Sequence, residues 1–434
     1  MKRKFNILFG LHEISGALSS LASGFQSLGY KSEFLSIAQH RYSYDSFTAP
    51  SLLISIWRFS IEKRSQTLRT KLTKKIVYYL FNQFMNLILI LRTIIKYDVI
   101  NFSYGITFTN SELEMWLYRL FRVKTIFTFY GSDARPAYLS AKYSTPIETI
   151  DYKLVQTITM DQKKRILRIE KYASSIISYL PQSHLQERSF LDLLLIGLPV
   201  NIPHSYQSGK KLSRRNTDTI KILHSPSDMN IKGTAEIHKI IAKIRNKGFK
   251  IELISLNNVS HEQVLEEINN CDFIVDQMYS STPMPFLVLE GAYFGKPSIL
   301  GGYFCDQISK HYDAQDIPPS LYVHPSQMES AIELWVVDEK SRLKVGDAAS
   351  SFARHNWNIK KVVERYINIV EGDIPLRWYV NPNDNMYDHA GFPDSNLKIL
   401  IHNMIDMYGI ESLQLSDKSK LAAKFKQLGL LIFT

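Results

Sequence analysis

Two cysteines, Cys271 and Cys305, are all that 434 residues contain. So few exclude a disulfide framework and a structural zinc site, and leave buried thiols in a reducing compartment as the expectation. No helix-turn-helix, RNP-like or zinc-finger spacing accompanies the basic charge, so nucleic acid is not the expected partner. Walker A, His-Glu-x-x-His and Gly-x-Ser-x-Gly are missing too, which argues against a kinase, a zinc hydrolase and an α/β-hydrolase. Gly10 and Gly16 do not complete Gly-x-Gly-x-x-Gly, so the opening loop is no dinucleotide fingerprint. The basic start is followed by an apolar run only one strand long, and no signal peptide is expected. Ile76–Leu91 is sixteen residues without a charge. A membrane span takes about 20 apolar residues, and Asn82, Gln83 and Asn86 interrupt this stretch. No span is expected.

What is present suits a folded chain. Hydrophobic residues make up 45% and charged residues 21%, and the length allows two domains, each with its own core. The net charge of +11 is uneven: between Ser51 and Lys96, nine Lys or Arg stand against one acidic residue, Glu62. This stretch reads as helical. With Trp57, the cations Arg58, Lys63, Arg64, Arg69, Lys71, Lys74 and Lys75 form a candidate in-plane surface for an anionic membrane. The plainer alternative is a core helix with a wet basic face.

Strands are expected at Phe5–Gly10, Ser32–Ile37, Asp98–Ser103, Val123–Phe129, Ile176–Tyr179 and Leu193–Leu198, with helices in several of the gaps. Pro199–Thr219, rich in Pro, Gly, Ser and cations, has the composition of a linker. Beyond it Ile220–His224, Lys250–Leu256, Cys271–Asp276 and Ser298–Leu300 alternate with helices such as Thr234–Lys247. Strict alternation means a parallel sheet covered by helices on both faces. The expected layout is a first domain at 1–200, a linker at 201–219, a second domain at 220–371 and a mainly helical appendage at 372–434.

Cys271–Gly302 is the most informative stretch. It reads as strand, loop, helix, strand, with Pro283 and Pro285 where the helix begins and Gly295 at its end. The amides near Phe286 and Leu287 suit a phosphate, and Glu290, one turn on, is placed to accept from a ribose or sugar hydroxyl. This segment resembles the signature of the large retaining GT-B glycosyltransferase family, family 4, in its bacterial form. Glu290 matches the second Glu of that family's Glu-x7-Glu motif, and Thr282 stands where the first is usual. Ser225–Gly233 resembles the family's diphosphate loop, with Lys232 in its Lys-Gly pair and Ser227 in place of an Arg. Tyr130–Arg135 resembles a "HGSDxR" turn, with Tyr130 in place of His. The loop His12–Ala17 is similar to the first, cleft-facing loop of such proteins. The likeness covers about residues 1 to 370.

The resemblance implies an α/β, GT-B architecture: two Rossmann-like domains whose parallel sheets face each other across a cleft. It implies a retaining hexosyl transfer from a nucleotide-sugar donor to a saccharide or lipid-linked acceptor in cell-surface polysaccharide assembly. Tyr130, Asp133 and Lys232 are the implied catalytic residues, the first two at the transferred sugar and Lys232 on the diphosphate. Gly16, Asn257, Thr282, Phe286, Leu287 and Glu290 are expected on the donor, and His12 and Arg135 on the acceptor side. For Asp133 and Arg135 the alternatives are a turn-stabilising bond and a surface cation. The sequence has no Asp-x-Asp pair, so neither metal nor cofactor is expected, and protein cations with helix amides would neutralise the diphosphate. The departures at 130, 227 and 282 keep two alternatives open: a catalytically silent GT-B scaffold or carbohydrate-binding subunit, and a nucleotide-sugar epimerase. A lipid-linked acceptor places the protein in the cytoplasm, peripheral on the inner face of the cell membrane. The tail helix Ser416–Gln427 would contribute Leu421, Phe425 and Leu428 on one side and Lys418, Lys420, Lys424 and Lys426 around the rest.

Overall fold

The computed structural model describes residues 4–37, 51–67, 72–144, 146–202, 219–279, 282–389 and 391–430. Arg69, Lys71 and most of the expected linker lie outside them. The first sheet takes β1 (Asn6–Leu11), β2 (Lys31–Ser36), β3 (Val99–Ser103), β4 (Lys124–Thr128), β5 (Ser175–Ser178) and β6 (Phe190–Asp192), parallel, in the order β2-β1-β3-β4-β5-β6. The second takes β7 (Ile220–His224), β8 (Ile251–Ser255), β9 (Phe273–Gln277), β10 (Ser298–Gly301) and β11 (Leu321–Val323), also parallel, in the order β8-β7-β9-β10-β11. Both sheets therefore wind alike and reverse direction beside their first strand, where α/β proteins bind ligands. Every residue of β3 and of β9 is buried, as the continuous apolar runs require of strands covered on both faces. A twelfth strand, β12 (Tyr379–Val380), runs antiparallel along β6. With it the fold is α/β in the GT-B arrangement.

The expected strand Leu193–Leu198 is corrected. The strand is Phe190–Asp192, and Leu193–Ile196 is a helical turn. Asp192 ends the strand by accepting from the Leu194 amide at 2.9 Å. Gly197 closes the turn at φ 89°. Four apolar residues in a row, three of them buried, look the same in either state, and the cap decides between them.

The helix Ile359–Glu371 ties the two halves together. Its residues pack on the first-half helix Ala17–Ser27, where a Cβ on Gly24 would sit 2.7 Å from Ile359 Cγ1. Arg365 donates to the Ile196 carbonyl at 2.8 Å, and Lys124 to that of Val370 at 2.5 Å.

Two basic helices that read alike in sequence end up differently. The tail helix Ser419–Leu430 packs with helix Asp394–Tyr408 on the first-half segment Ala137–Leu139 and helix Tyr152–Tyr172. Leu421, Phe425 and Leu428 are buried there, Phe425 edge-on to Tyr138 at 5.6 Å. Lys418 is buried too, bonded to Asp417 and the Gln186 carbonyl. The expected membrane face of the tail is thus covered by protein. Helix Leu72–Lys96 instead turns only part of itself inward, with Met85, Leu89 and Ile90 in the core. Its Asn82 and Asn86, together with Ser60, Arg64 and Trp57 of helix Leu52–Gln66, form hydrogen bonds of 2.8–3.1 Å. Trp57 is therefore buried rather than part of a surface. On the outer side Ile76, Leu80, Phe84, Leu87, Leu91 and Ile95 recur every three or four residues, each 47–85% exposed. Residues Thr73–Lys96 are long and apolar enough to cross a bilayer, but a third of that window is buried in the protein. One face of this helix is thus packed into the first sheet's core and the other is exposed.

Candidate functional site

Between the carboxyl edges of the two sheets lies a cleft of about 530 Å³. The loops after β1, β4, β7, β8 and β9 all reach it, so both switch points open onto one space. The walls also touch: the Tyr130 and Phe286 rings are 6.1 Å apart, and Gln182 Nε2 donates to Thr282 Oγ1 at 3.1 Å.

The first wall begins with Glu13. Its carboxylate accepts from the amides of Ile14, Leu18 and Ser19 at 2.9–3.0 Å. Burial raises its pKa and these amides oppose the rise. The N-terminus of helix Ala17–Ser27 is thereby occupied by the chain's own anion. Gly16 is the N-cap of that helix at φ 76°, a left-handed conformation that glycine adopts freely. Gly16, expected on the donor, is not part of the cleft lining. His12 does line it, its ring 4.8 Å from that of Tyr104, and burial lowers its pKa.

The turn after β4 is built by Asp133. Its oxygens accept from the Tyr130 and Gly131 amides at 2.7–3.1 Å, and Arg165 holds its carbonyl at 2.9 Å. Asp133, expected at the sugar, is 1% exposed and lies behind the lining. Short polar side chains that bond amides of their own turn are the usual cause of such tight loops. It positions Tyr130 and Arg135, which do line the cleft. The Tyr130 phenol is pushed well above its ordinary pKa by burial, with Tyr366 beside it.

On the second wall Asp228 caps the turn Met229–Lys232 by accepting from Asn230 and Ile231 at 3.0 Å. Gly233 follows at φ 67°, where a Cβ would stand 2.6 Å from that of Met278. These constraints seat Lys232 at the mouth of β9. There its Nζ meets Asp276 Oδ2 at 2.5 Å and Gln277 Oε1 at 3.1 Å. Helix Phe286–Tyr293 starts at Pro285 with no side-chain cap, and Phe286 and Leu287 line the cleft. Glu290 lines it as well, accepting from His261 Nε2 at 2.6 Å. His261 opens helix His261–Asn270 under the Ser260–Gln263 capping box. Asn257 stays at the rim, 3.5 Å from Met229 Sδ, while its neighbours Asn258 and Val259 form the lining.

His12, Tyr130, Arg135, Lys232, Thr282, Phe286, Leu287 and Glu290 are thus brought together, and Gly16, Asp133 and Asn257 are not. Sequence reasoning missed Asp276 and His261. An acidic residue ending a buried strand was the available signal for the first; nothing local marked the second as a partner for Glu290. Among the described residues no group of three or more His, Cys, Asp or Glu is arranged to hold a metal ion.

No protein-family model and no curated protein matches the sequence. Solved structures do share the fold. An alpha,alpha-trehalose-phosphate synthase (UDP-forming) from Burkholderia xenovorans, in complex with glucose-6-phosphate, is 9% identical, with a TM-score of 0.50 over 85% of this chain and 100% of that one. A glycosyltransferase from Rickettsia africae is 13% identical, with a TM-score of 0.48 over 85% and 98%. The catalytic domain of starch synthase IV from Arabidopsis thaliana is 10% identical, with a TM-score of 0.44 over 84% and 100%. At 9% identity and a TM-score of 0.50, the likeness to the trehalose-phosphate synthase is one of architecture alone, and that architecture is the two-sheet GT-B fold.

Proposed function

We propose that the protein is a glycosyltransferase that takes a nucleotide-sugar donor in this cleft. The observation that carries the reading is the meeting of both switch points on one space, with an uncapped helix N-terminus and Lys232 on the second wall. Amides and a lysine on that wall suit a diphosphate without a divalent ion, and Glu290 suits a ribose hydroxyl. Transfer with retention needs no protein nucleophile, because the departing phosphate takes the acceptor's proton. Tyr130 and His12 then flank the sugar, and the acceptor is a saccharide or lipid-linked saccharide of a surface polysaccharide. Thermal shift against UDP-, GDP- and ADP-sugars, with and without EDTA, tests the donor site: at least one donor raises Tm equally in both conditions. No shift with any donor contradicts it.

The pairing of Lys232 with Asp276 and of Glu290 with His261 favours one rival, a silent GT-B subunit that binds carbohydrate without turnover. Donor stabilisation without release of nucleoside diphosphate would establish that rival. We further propose that the protein works in the cytoplasm on the inner membrane face, held by helix Leu72–Lys96. Its exposed apolar stripe ends beside Lys74 and Lys75, with Lys63 and Arg64 on the neighbouring helix. Each cation near an anionic leaflet contributes about 1 kcal/mol. The protein should sediment with anionic vesicles at low salt and leave them at high salt, and Phe84→Asp should weaken the binding. Equal binding to neutral and anionic vesicles, or none to either, contradicts the assignment.

A further inference from the structure

Arg135 is a buried cation on the first wall of the cleft with unpartnered donors among the described residues. It is 4% exposed, it lines the space between the walls, and its Nε and Nη1 have no hydrogen-bond partner among the described residues. Asp133 attracts it but is committed to the turn amides, and burial pulls the guanidinium's pKa below its ordinary value. A buried guanidinium with unpartnered donors is costly and persists where an acceptor occupies the space in front of it. The other anion-binding devices of the cleft are already allotted. Glu13 fills the amides of helix Ala17–Ser27. Lys232 is held by Asp276 on the opposite wall, and the Phe286 and Leu287 amides belong to that wall as well.

We propose that the first wall is an anion subsite in which Arg135 receives a carboxylate or phosphate of the sugar-side substrate, distinct from the donor diphosphate. The proposal rests on the glycosyl-transfer reading and narrows it to substrates charged at a second point. A guanidinium with unpartnered N–H groups is suited to a charge-assisted hydrogen bond with either group. The charge comes either from a uronate carboxylate or from a sugar phosphate, and the two are separable by probe.

The test is calorimetric binding to the full chain of glucuronate, glucose 6-phosphate and uncharged glucose, each with and without UDP, GDP or ADP. At least one charged sugar should bind at least tenfold tighter than glucose. Arg135→Gln should remove that preference while leaving the nucleotide Kd within about twofold. Which charged sugar is preferred identifies the source of the anion. Ligand-free Arg135→Met should melt no lower than the native chain, since the substitution removes an unpaired charge; this also controls for folding. Equal binding of charged and neutral sugars, or a tenfold loss of nucleotide affinity in Arg135→Gln, would overturn the proposal. The second result would leave the donor reading intact and move Arg135 to the diphosphate. Absence of nucleotide binding by the native chain would instead refute the donor reading itself.

Discussion

On the second wall of the cleft Lys232 sits on Asp276 and Glu290 on His261, whereas on the first wall Arg135 Nε and Nη1 have no hydrogen-bond partner among the described residues and Glu13 is held by backbone amides and Ser19. Lys232 and Glu290 on the second wall are paired before any ligand arrives, while the N-terminus of helix Phe286–Tyr293 has no side-chain cap. A ligand there must share Lys232 with Asp276 and displace or join His261 at Glu290. The first wall is incomplete, and its charge is held in readiness at some cost to stability. Paired charges add to folding stability and a buried cation with unpartnered donors subtracts from it, so the sign of a mutation's effect on folding distinguishes the two walls.

The largest expected effect is at Lys232. Lys232→Ala leaves Asp276, 2% exposed, without its cation. Breaking a buried pair in this way costs about 3–5 kcal/mol. Denaturant unfolding should register it, and Lys232→Met with Asp276→Asn should recover most of it without restoring donor turnover. A loss below about 1 kcal/mol would mean that the second wall is not preassembled.

Next comes pH. His184 is fully buried beside the first wall, donates Nε2–H to the Tyr387 carbonyl at 2.6 Å, and is lowered to about 4 by burial. A depressed folded pKa stabilises above the unfolded value of 6.5, and that contribution is lost as pH falls toward 4. At about 1.36 kcal/mol per unit the loss approaches about 3 kcal/mol. Asp192, raised to about 6 chiefly by burial, acts oppositely: its stabilisation is present below 3.8 and lost as pH rises to 6. The native curve should therefore look flatter than either group alone would make it. Asp192→Asn should expose a steeper acid loss, and His184→Gln should remove it; unchanged slopes in both variants would refute these assignments.

A smaller effect belongs to Glu290. Glu290→Gln weakens the His261 bond and, under the proposed donor reading, a ribose contact, so nucleotide affinity should fall about tenfold, or ~1.4 kcal/mol. An unaltered Kd would place the nucleoside elsewhere in the cleft.

Much of this fold was legible because strands and helices alternate with clear punctuation. Ile220–His224 falls on β7 residue for residue, and Ser260 with Gln263 forms the capping box its spacing implies. Leu193–Leu198 was not legible, because a buried apolar run has no period and the Asp192 cap outweighs it. The tail helix had the right stripe, but a stripe does not say what covers it; here Tyr138 and helix Asp394–Tyr408 do. In the site, short loops after strands were found from their turn residues. Pairing was not found, because Asp276 and His261 lie 44 and 29 residues from their partners and meet them only through the sheet's winding.

The most direct test of the central claim is release of nucleoside diphosphate from UDP-, GDP- and ADP-sugars, followed by NMR with a saccharide acceptor mixture. The account predicts release by the native chain from one donor class, with the anomeric configuration retained, and at least tenfold slower release by Lys232→Ala. Release from none of the donors, or an equal rate in Lys232→Ala, would contradict it.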